Sequence, residues 1–360
     1  MGHGKAGANM KINKVQATSS KWKKFQFDCK RGKGHFFAYL VNRFRWHYYP
    51  RLRYVSRFPD HVDVEISSAC NMRCPMCYTI TDEFRQRVKK EFMEFGLFKK
   101  IVDECASYGT YSIRISLRGE PFLHKDAVRM IRYAKEKGIK EVSSLTNNLA
   151  LNPSLFKEAM DAGLDWLTIS FDGLGEKYEW VRQPASFEES LAKIKEYKQI
   201  KERARSHKPV IKIQTIWPAI KDCAKEYCAL FNPYVDDIAI NPLIDYLHSD
   251  KDVQYIKRFV CPVLYQRLVI GSDGKVLLCS NDEFSSYPLG DAAEESLYSI
   301  WHGSKMNEAR LLHNIHKGVE ALEPCKHCYL PRKTQPVVEL IDNRKVTINK
   351  YLNRSDEIGE

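Results

Sequence analysis

The stretch SSACNMRCPMCY, residues 67–78, places three cysteines within eight positions. Cys70, Cys74 and Cys77 follow the spacing Cys-x3-Cys-x2-Cys. A structural metal site is normally closed by four ligands, and a disulfide framework uses cysteines in pairs. Three thiols on one short loop therefore predict a metal centre with one position left open for chemistry. Thiolates are soft ligands that suit iron-sulfur clusters or zinc.

From Val62 onward, short apolar strand patterns alternate with amphipathic helical patterns. The six strand patterns are VDVEISS, YSIRISLRGEP, EVSSLTNN, DWLTISFDG, PVIKIQTIW and VDDIAINPL. This alternation predicts an α/β fold with a parallel sheet and helices outside it. Since six units are fewer than the eight of a full TIM barrel, the pattern favours a partial (β/α)6 TIM-like barrel, with a doubly wound sheet as the alternative. The cysteine loop follows the first strand, on the face where such folds carry their active sites.

Three further motifs follow the cysteine loop, each at the end of a successive strand. They are RGEP at 118–121, SLTNN at 144–148 and ISFDG at 169–173. Together with the cysteine spacing, they resemble the signature of the radical S-adenosylmethionine (SAM) superfamily. That family usually has GGEP at the second strand, so Arg118 stands here for the first glycine.

The resemblance implies that Cys70, Cys74 and Cys77 hold a [4Fe-4S] cluster whose open iron binds the amino and carboxylate groups of SAM. One electron from the cluster then cleaves SAM, and a 5′-deoxyadenosyl radical takes a hydrogen atom from the substrate. The SAM contacts that the resemblance implies are Met76, Gly119, Glu120, Asn147, Ser170 and Asp172. Met76 stands where the family often has an aromatic residue, and a flexible apolar side chain can still cover the adenine. No catalytic residue beyond these emerges from the sequence.

For several of these residues, a purely structural role is the alternative. The three cysteines fit a zinc knuckle completed by a distant ligand, although that reading leaves the strand-end motifs unexplained. Glu120 could cap or pair at the surface, and Ser170 and Asp172 could serve only to form turns.

A second group of cysteines lies after the alternation of strand and helix patterns ends. Cys261, Cys279, Cys325 and Cys328 give Cys-x12-Gly-x4-Cys, a gap, and Cys-x2-Cys, with Gly274 as the glycine. This pattern resembles a SPASM domain. No cysteine follows Cys328, so the resemblance is to the shortened Twitch form and implies one fully coordinated auxiliary [4Fe-4S] cluster, with a zinc site as the alternative.

Four cysteines remain outside both groups: Cys29, Cys105, Cys223 and Cys228. Free cysteines are mostly buried small hydrophobic residues. One of them is a candidate for returning a hydrogen atom to a substrate radical, as in radical epimerases.

Residues 1–58 form a basic, aromatic arm. They hold fourteen Lys or Arg and one acid, a net charge of +13, whereas the whole chain is +12. Phe37, Leu40, Val41, Phe44 and Tyr48 follow helical spacing, which predicts an amphipathic helix that ends near Pro50. Two interpretations compete: this face covers the protein's own core, or the arm binds an anionic membrane or glycan surface. Nucleic acid is disfavoured because no nucleic-acid-binding fold surrounds the arm.

The predicted organisation is an arm at 1–58, a radical SAM core at 59–245, a smaller α+β auxiliary-cluster domain at 246–345, and a tail at 346–360. The expected activity is a radical SAM oxidoreductase or epimerase that acts on a small polar, sugar-like substrate. A peptide maturase and a non-enzymatic metal-binding adaptor are the alternatives. Flavodoxin or ferredoxin would donate the electron. With no apolar run long enough to span a bilayer and no signal peptide, the expected location is cytoplasmic, with peripheral attachment to the membrane as a variant.

Overall fold

A computed structural model describes residues 16–17, 21–341, 344–355 and 357–359. The beginning of the basic arm and the last residue of the predicted tail lie outside the described residues.

One ten-stranded sheet runs through the chain. Its strands are β1 (Gln16–Ala17), β2 (His61–Val64), β3 (Ser112–Arg114), β4 (Glu141–Thr146), β5 (Trp166–Ser170), β6 (Val210–Ile216), β7 (Asp237–Asn241), β8 (Arg267–Ile270), β9 (Lys275–Leu277) and β10 (Gly290–Asp291). Their order is β1-β7-β6-β5-β4-β3-β2-β8-β9-β10. Strands β2 to β7 pair in parallel with their neighbours. The predicted partial (β/α)6 barrel is confirmed.

Helices follow most strands and cover the outside of the sheet. They are α1 (Lys21–Gly32), α2 (Phe36–Leu52), α3 (Asp82–Arg87), α4 (Phe95–Ser107), α5 (Ala127–Glu136), α6 (Pro153–Asp161), α7 (Gly175–Val181), α8 (Phe187–Arg203), α9 (Trp217–Ile220), α10 (Ala224–Phe231), α11 (Leu297–Trp301), α12 (Ser304–Asn314), α13 (Gly318–Ala321) and α14 (Glu323–Lys326). Local chemistry sets their ends. Before α6, the Asn152 side chain accepts a hydrogen bond from the Leu155 amide at 2.9 Å, and Pro153 opens the first turn.

The sheet is buried on both faces, as expected for a parallel sheet flanked by helices. Val62, Ile113, Val142 and Leu167 are all fully buried on successive strands. Helix α5 packs against the sheet through Ala127, Met130, Ile131 and Ala134, which recur at helical spacing. This core fixes the strand ends from which the candidate site is built.

The smaller C-terminal unit is joined to the core sheet. Strand β8 pairs in parallel with β2, and β9 returns antiparallel to β8. The predicted boundary at residue 245 therefore separates two units that share one sheet. The sequence did not reveal this pairing because strand partners distant in sequence leave no local signal.

The predicted tail at 346–360 needs a correction. Strands β11 (Thr334–Ile341) and β12 (Arg344–Tyr351) form an antiparallel hairpin. The predicted boundary falls inside β12, so residues 346–351 belong to the hairpin. The alternating pattern of VTINKY is the strand signal that the sequence analysis overlooked.

Helices α1 and α2 cover the N-terminal ends of the barrel strands. Arg31 forms a buried ion pair with Glu141 at 2.8 Å, at the start of β4. The ring of Phe27 meets Trp166 edge-on at 5.7 Å, at the start of β5. The ring of Trp46 meets His61 at 5.8 Å, at the start of β2. The arm thus closes the barrel at the end opposite the cysteine loop.

Helix α2 continues through Pro50 and ends at Leu52, so the predicted end near Pro50 is confirmed. Proline lacks the N–H that would bond to the carbonyl of the residue four positions earlier, Trp46. The Gln266 side chain donates to this Trp46 oxygen at 2.8 Å and satisfies it from another element.

The predicted apolar face of α2 points away from the core. Phe37, Leu40, Phe44 and Tyr48 are exposed by 81%, 48%, 55% and 45%, and Val41 at the edge of this face is half-buried. The buried side of the helix carries Tyr39, Asn42 and Pro50 instead. The interpretation of the first face as a core cover is wrong, because the cover is made by the opposite side of the helix. Among the described residues, no helix combines the length and apolarity required to span a bilayer.

Candidate active site at the strand ends

A cavity of about 210 Å³ lies at the C-terminal ends of the barrel strands. Almost all the residues predicted to hold the cluster and SAM line it: Cys70, Cys74, Met76, Cys77, Gly119, Glu120, Asn147 and Ser170. They come from the loops after β2, β3, β4 and β5, which the parallel sheet brings to one edge. Asp172 is the predicted residue that lies outside this lining.

Each thiol of the cysteine loop has its own hydrogen-bonding partner. The Asn147 amide nitrogen lies 3.6 Å from Cys70 Sγ, and Arg182 Nη1 lies 3.7 Å from Cys74 Sγ. The Thr79 hydroxyl lies 3.1 Å from Cys77 Sγ. Hydrogen bonds to sulfur orient metal-bound thiolates and adjust the reduction potential of an iron-sulfur cluster.

The thiols fit a cluster by their electrostatics as well. The pKa of Cys77 is raised to about 11, mainly by burial, and the neighbouring Cys74 and Cys70 contribute to this rise. All three cysteines line the same cavity. Buried thiolates need a cationic partner, which an iron-sulfur cluster provides. In a cubane each thiol binds a different iron, and among the described residues no three His, Cys, Asp or Glu converge on a single ion.

The Glu120 carboxylate lines the cavity, and three hydrogen bonds fix its position. Its Oε1 accepts hydrogen bonds from Thr146 Oγ1 at 2.8 Å and from the Phe122 amide at 3.1 Å, and its Oε2 accepts from the Asn147 amide at 2.7 Å. Burial raises the pKa of this carboxyl to about 7. A buried carboxylate in this position is suited to receive an ammonium group.

Gly119 brings the strand end against the cysteine loop. A β-carbon at this position would lie 2.5 Å from the carbonyl oxygens of both Ser67 and Ala69. The Glu120 amide also donates to the Ala69 oxygen at 2.8 Å. Only glycine allows this close approach of two backbone segments.

Asp172 forms an ion pair with Arg182 and accepts a hydrogen bond from the Ile216 amide at 2.8 Å. Burial favours the neutral form of Arg182, but Asp172 and Cys74 hold its pKa above the ordinary value. Arg182 lines the cavity, and Asp172 stands behind it. Asp172 therefore positions the Arg182 guanidinium in the cavity wall.

Besides Arg182, the cavity wall contains polar residues that the sequence did not indicate, among them Tyr78, Gln214, Asn241 and Tyr246. Gln214 and Asn241 lie at the ends of β6 and β7, in strands that were predicted but not searched for polar residues at their ends. That search would have found both. Arg182 and Tyr246 lie in irregular segments, where no local pattern marks them.

Arg118 links the barrel to the auxiliary unit. Its Nε donates to Glu65 Oε1 at 2.8 Å, and its Nη1 donates to Ser285 Oγ at 3.1 Å. Glu65 also accepts from the Ser272 amide at 3.1 Å. The departure from GGEP therefore adds a bridge between the second strand end and the loops of the auxiliary unit.

The auxiliary cysteines form a second buried group. Cys261, Cys279, Cys325 and Cys328 are each at most 8% exposed. Burial raises the pKa of Cys279 well above its ordinary value, and the other three thiols of the group raise it further. The four thiols are therefore neighbours, which fits one fully coordinated cluster.

Two polar residues that the sequence did not indicate contact this group. Asn281 Nδ2 donates to Cys328 Sγ at 3.3 Å, and His313 Nε2 lies 3.6 Å from Cys325 Sγ. Burial lowers the pKa of His313 to about 4. A neutral imidazole and an amide beside the sulfurs are typical of the surroundings that orient metal-bound thiolates.

Aromatic residues occupy the space between the two groups of cysteines. The rings of Tyr78 and Tyr246 meet at 5.3 Å, and Phe284 of the auxiliary unit packs on Tyr78 at 6.3 Å. Burial raises the pKa of Tyr246, and the neighbouring Tyr329 raises it further. Tyr329 follows Cys328 directly. The tyrosines of the cavity wall therefore contact the auxiliary unit through Phe284.

The four spare cysteines lie away from the cavity. Cys105 and Cys228 are buried on α4 and α10, Cys29 lies on α1, and Cys223 precedes α10.

Comparison with family models agrees with this geometry. Residues 64–209 match the radical SAM superfamily, and residues 261–329 match the SPASM iron-sulfur cluster-binding domain. The chain is 25% identical to the tungsten-containing aldehyde ferredoxin oxidoreductase cofactor-modifying protein of Pyrococcus furiosus over 278 residues, 74% of this chain and 75% of that protein. It is 33% identical to the Fe-coproporphyrin III synthase of Methanosarcina barkeri over 109 residues, which cover 30% of this chain and 26% of that protein.

Solved structures share the fold. BtrN in complex with AdoMet and 2-DOIA has a TM-score of 0.53 at 17% identity and covers 76% of this chain and 94% of its own. Streptococcus suis SuiB bound to precursor peptide SuiA has a TM-score of 0.53 at 14% identity and covers 81% of this chain and 76% of its own. The ordered strand-end motifs, the two groups of thiols and both family models lead to one conclusion. The chain belongs to the radical SAM superfamily and is a radical SAM enzyme with a SPASM-type domain, which implies SAM, a [4Fe-4S] cluster and an auxiliary cluster as its cofactors.

Proposed function

We propose that this enzyme dehydrogenates a small polar substrate. The observation that carries the proposal is the packing of the auxiliary unit directly on the cavity, through Arg118 and the tyrosines around Tyr246. Removal of a hydrogen atom from a carbon that bears a hydroxyl leaves a radical, which must lose one proton and one electron to become a carbonyl. A fully coordinated metal centre beside the cavity suits the acceptance of that electron.

The residues of the cavity suggest how SAM is held. Glu120 receives the amino group, and Arg182, held by Asp172, faces the carboxylate. Asn147 and Ser170 lie within the same wall for the ribose, and Met76 covers the adenine. This arrangement replaces the direct SAM contact first expected for Asp172, since its carboxylate is already engaged by Arg182 and the Ile216 amide.

When bound, SAM and the first cluster supply the hydrogen-abstracting 5′-deoxyadenosyl radical, and the auxiliary cluster supplies the electron acceptor. The chain supplies position and shielding. Gln214 and Asn241 present carboxamides that can bind substrate hydroxyls or amines from one side of the cavity. Tyr78 and Tyr246 exclude water from the side of the auxiliary unit.

Dehydrogenation is favoured over epimerisation by where the thiols lie. An epimerase needs a hydrogen donor at the opposite face of the substrate radical. Cys105 and Cys228 are enclosed in the hydrophobic core, Cys29 lies at the opposite end of the barrel, and Cys223 is not among the residues that line the cavity.

A peptide is the second candidate substrate. A larger cavity of about 740 Å³ adjoins the cysteine loop and is lined by residues that include Asn71, Arg73, Phe84 and Gln183. Its size would accept an extended segment, and SuiB, whose fold is similar, was solved with a precursor peptide. The adaptor alternative is not retained, because the family is one of enzymes.

The same larger cavity is where we place the electron donor. Arg73, Arg85 and Lys90 are exposed around it, beside the loop that carries Cys70. An acidic carrier such as flavodoxin or ferredoxin would meet cations there, and its association would weaken as salt rises.

The test uses the Cys325→Ala variant of the anaerobically reconstituted enzyme. Wild-type protein should hold about eight irons and convert a polar alcohol, such as an aminocyclitol, to a product two mass units lighter. The variant should hold about four irons, still form 5′-deoxyadenosine, and yield at least about a hundredfold less oxidised product. Iron assay, chromatography and mass spectrometry measure the three quantities.

Cys29→Ala is the matched control, since it removes a thiol far from both groups and should leave all three quantities unchanged. Reactions in D2O separate the alternatives. A product of unchanged oxidation state that carries one deuterium would contradict dehydrogenation, and so would conversion of a peptide alone. One zinc and four irons per wild-type chain would show that the second site is structural.

SAM binding should weaken as pH falls. The pKa of Glu120 is raised by burial to about 7, so below this pH the carboxyl is protonated and loses the negative charge that attracts an ammonium group. If only the carboxylate binds, affinity for SAM should be about tenfold lower at pH 6 than at pH 8. Isothermal titration calorimetry of the unreduced holoenzyme measures the affinity for SAM at each pH. Glu120→Gln should bind weakly at both pH values, whereas Glu176→Gln, which changes an exposed side chain of helix α7, should behave as wild type. The same slope in Glu120→Gln would assign the titration to another group.

A further inference from the structure

We propose that the outer face of α2, defined by Phe37, Leu40, Phe44 and Tyr48, docks on an anionic lipid membrane. The docked enzyme keeps its cavity turned away from the lipid. This inference concerns location and does not depend on the reaction proposed above.

The outer face is apolar, continuous and exposed. Its residues stand at i, i+3, i+7 and i+11 and therefore form one stripe along the helix. Phe37 is 81% exposed, and the rings of Phe44 and Tyr48 stack at 4.6 Å with about half of each exposed. The opposite side of α2 is already committed to the barrel through Tyr39, Asn42 and Trp46. The stripe therefore has no place in the core of the described chain.

Exposed apolar residues concentrate around this face. Of the large hydrophobic residues that are exposed in the described part of the chain, more than half lie between Trp22 and Tyr54. On α1, Trp22 and Phe25 stack at 5.6 Å while 65% and 55% exposed. Leu52 is 70% exposed at the end of α2. Aromatic side chains of this kind favour the interface between water and lipid.

The positive charge around the outer face of α2 favours an anionic lipid surface. From Phe36 to Arg57 the sequence carries five arginines and no acid. Arg45 pairs with Asp60 and Arg43 lies over rings on the barrel side, whereas the other three arginines are exposed. Arg51 lies on the same side as the stripe, and its guanidinium stands 5.7 Å from the ring of Tyr48. An apolar stripe bordered by cations is typical of helices that lie in the surface of an anionic membrane. A second copy of the chain would bring the same positive charge against it, which disfavours pairing of two such faces.

The position of α2 fixes the orientation of the docked enzyme. Helices α1 and α2 contact the first residues of β2, β4 and β5, whereas the cavity lies at the other ends of these strands. A membrane on the outer face therefore lies across the barrel from the cavity. The attached enzyme would take its substrate from the aqueous side.

The test is flotation of reconstituted full-length enzyme with vesicles of phosphatidylglycerol and phosphatidylcholine. Wild-type protein should float with mixed vesicles at low salt, should float less as salt rises, and should not float with phosphatidylcholine alone. The double variant Phe37→Ser/Leu40→Ser should partition at least about tenfold less. Arg51→Gln should partition about fivefold less, the effect of one cation near an anionic surface.

Two matched variants test whether the loss of any exposed apolar pair or any exposed cation would reduce vesicle binding. Val338→Ser/Leu340→Ser removes two side chains of similar exposure, 58% and 66%, from the hairpin strand β11. Lys225→Gln removes an exposed cation from α10, and both variants should float as wild type. Iron content and 5′-deoxyadenosine formation should be unchanged throughout, which shows that each variant is folded. Wild-type protein that stays in solution at low salt would overturn the proposal. A double variant that floats normally, or a wild-type dimer that this variant makes monomeric without vesicle binding, would overturn it too.

Discussion

Replacing Cys74 by alanine is expected to abolish 5′-deoxyadenosine formation, with a fall of at least about a thousandfold. We propose that the three thiols of the cysteine loop hold the first cluster, and with only two of them the iron that binds SAM would no longer be fixed. The loss should be accompanied by a fall from about eight irons per chain to about four, because the auxiliary cysteines are untouched. Anaerobic assays with dithionite, followed by chromatography and an iron assay, measure both.

The control for this experiment is Cys223→Ala, which removes a half-buried thiol before α10. It should retain both clusters and full SAM cleavage. Cys70→Ala and Cys77→Ala should repeat the result of Cys74→Ala. Undiminished cleavage in any of the three would mean that the cysteine loop does not hold the cluster that activates SAM.

The second large effect is expected from Gly119→Ala, a change of one methyl group. A β-carbon here would stand 2.5 Å from two carbonyl oxygens of the cysteine loop, so backbone must move. Overpacking of a fixed core costs about 1–3 kcal/mol, and a backbone clash should lie at or above this range. We expect a lower midpoint of thermal unfolding and loss of the first cluster, measured by calorimetry and by iron content.

Gly96→Ala provides a control of the same chemistry. Gly96 lies in α4 with open space around its α-carbon, and alanine favours helix. It should be neutral or stabilise the protein by about 0.5–1 kcal/mol. If Gly119→Ala kept the wild-type iron content and melting temperature, the close approach of strand end and cysteine loop would not be required for the site.

Much of the barrel could be read from the sequence because its signals are local. Each buried parallel strand is a short apolar run, and the polar residues that end it stand directly beside it in the chain. Glu120 and Asn147 were accessible in this way. Gln214 and Asn241 carried the same signal on the last two strands but had no motif to draw attention to them.

What the sequence could not show are relations between distant segments. Arg182 reaches Cys74 across 108 positions, and Gln266 satisfies the Trp46 carbonyl across 220. The face of α2 is the clearest case. Its spacing showed that the apolar residues share one side, but whether that side meets the core depends on how Arg31 and Trp46 anchor the arm to the strands. An amphipathic pattern fixes a face and leaves its direction to tertiary packing.

The pairing of β8 with β2 has a consequence for how electrons move. The first cysteine loop leaves the end of β2, and the chain reaches Cys279 just after the β8–β9 hairpin. The cysteine loop and the hairpin that leads to Cys279 are therefore held together by a hydrogen-bonded sheet, with neighbouring strands about 4.8 Å apart, and not by a hinge between two bodies. The rate of electron tunnelling falls steeply with distance. A fixed distance between the substrate site and the auxiliary centre would therefore give the same rate of electron transfer in every molecule. Transfer from the substrate site to the auxiliary centre would then need no domain movement, and its rate would be independent of solvent viscosity.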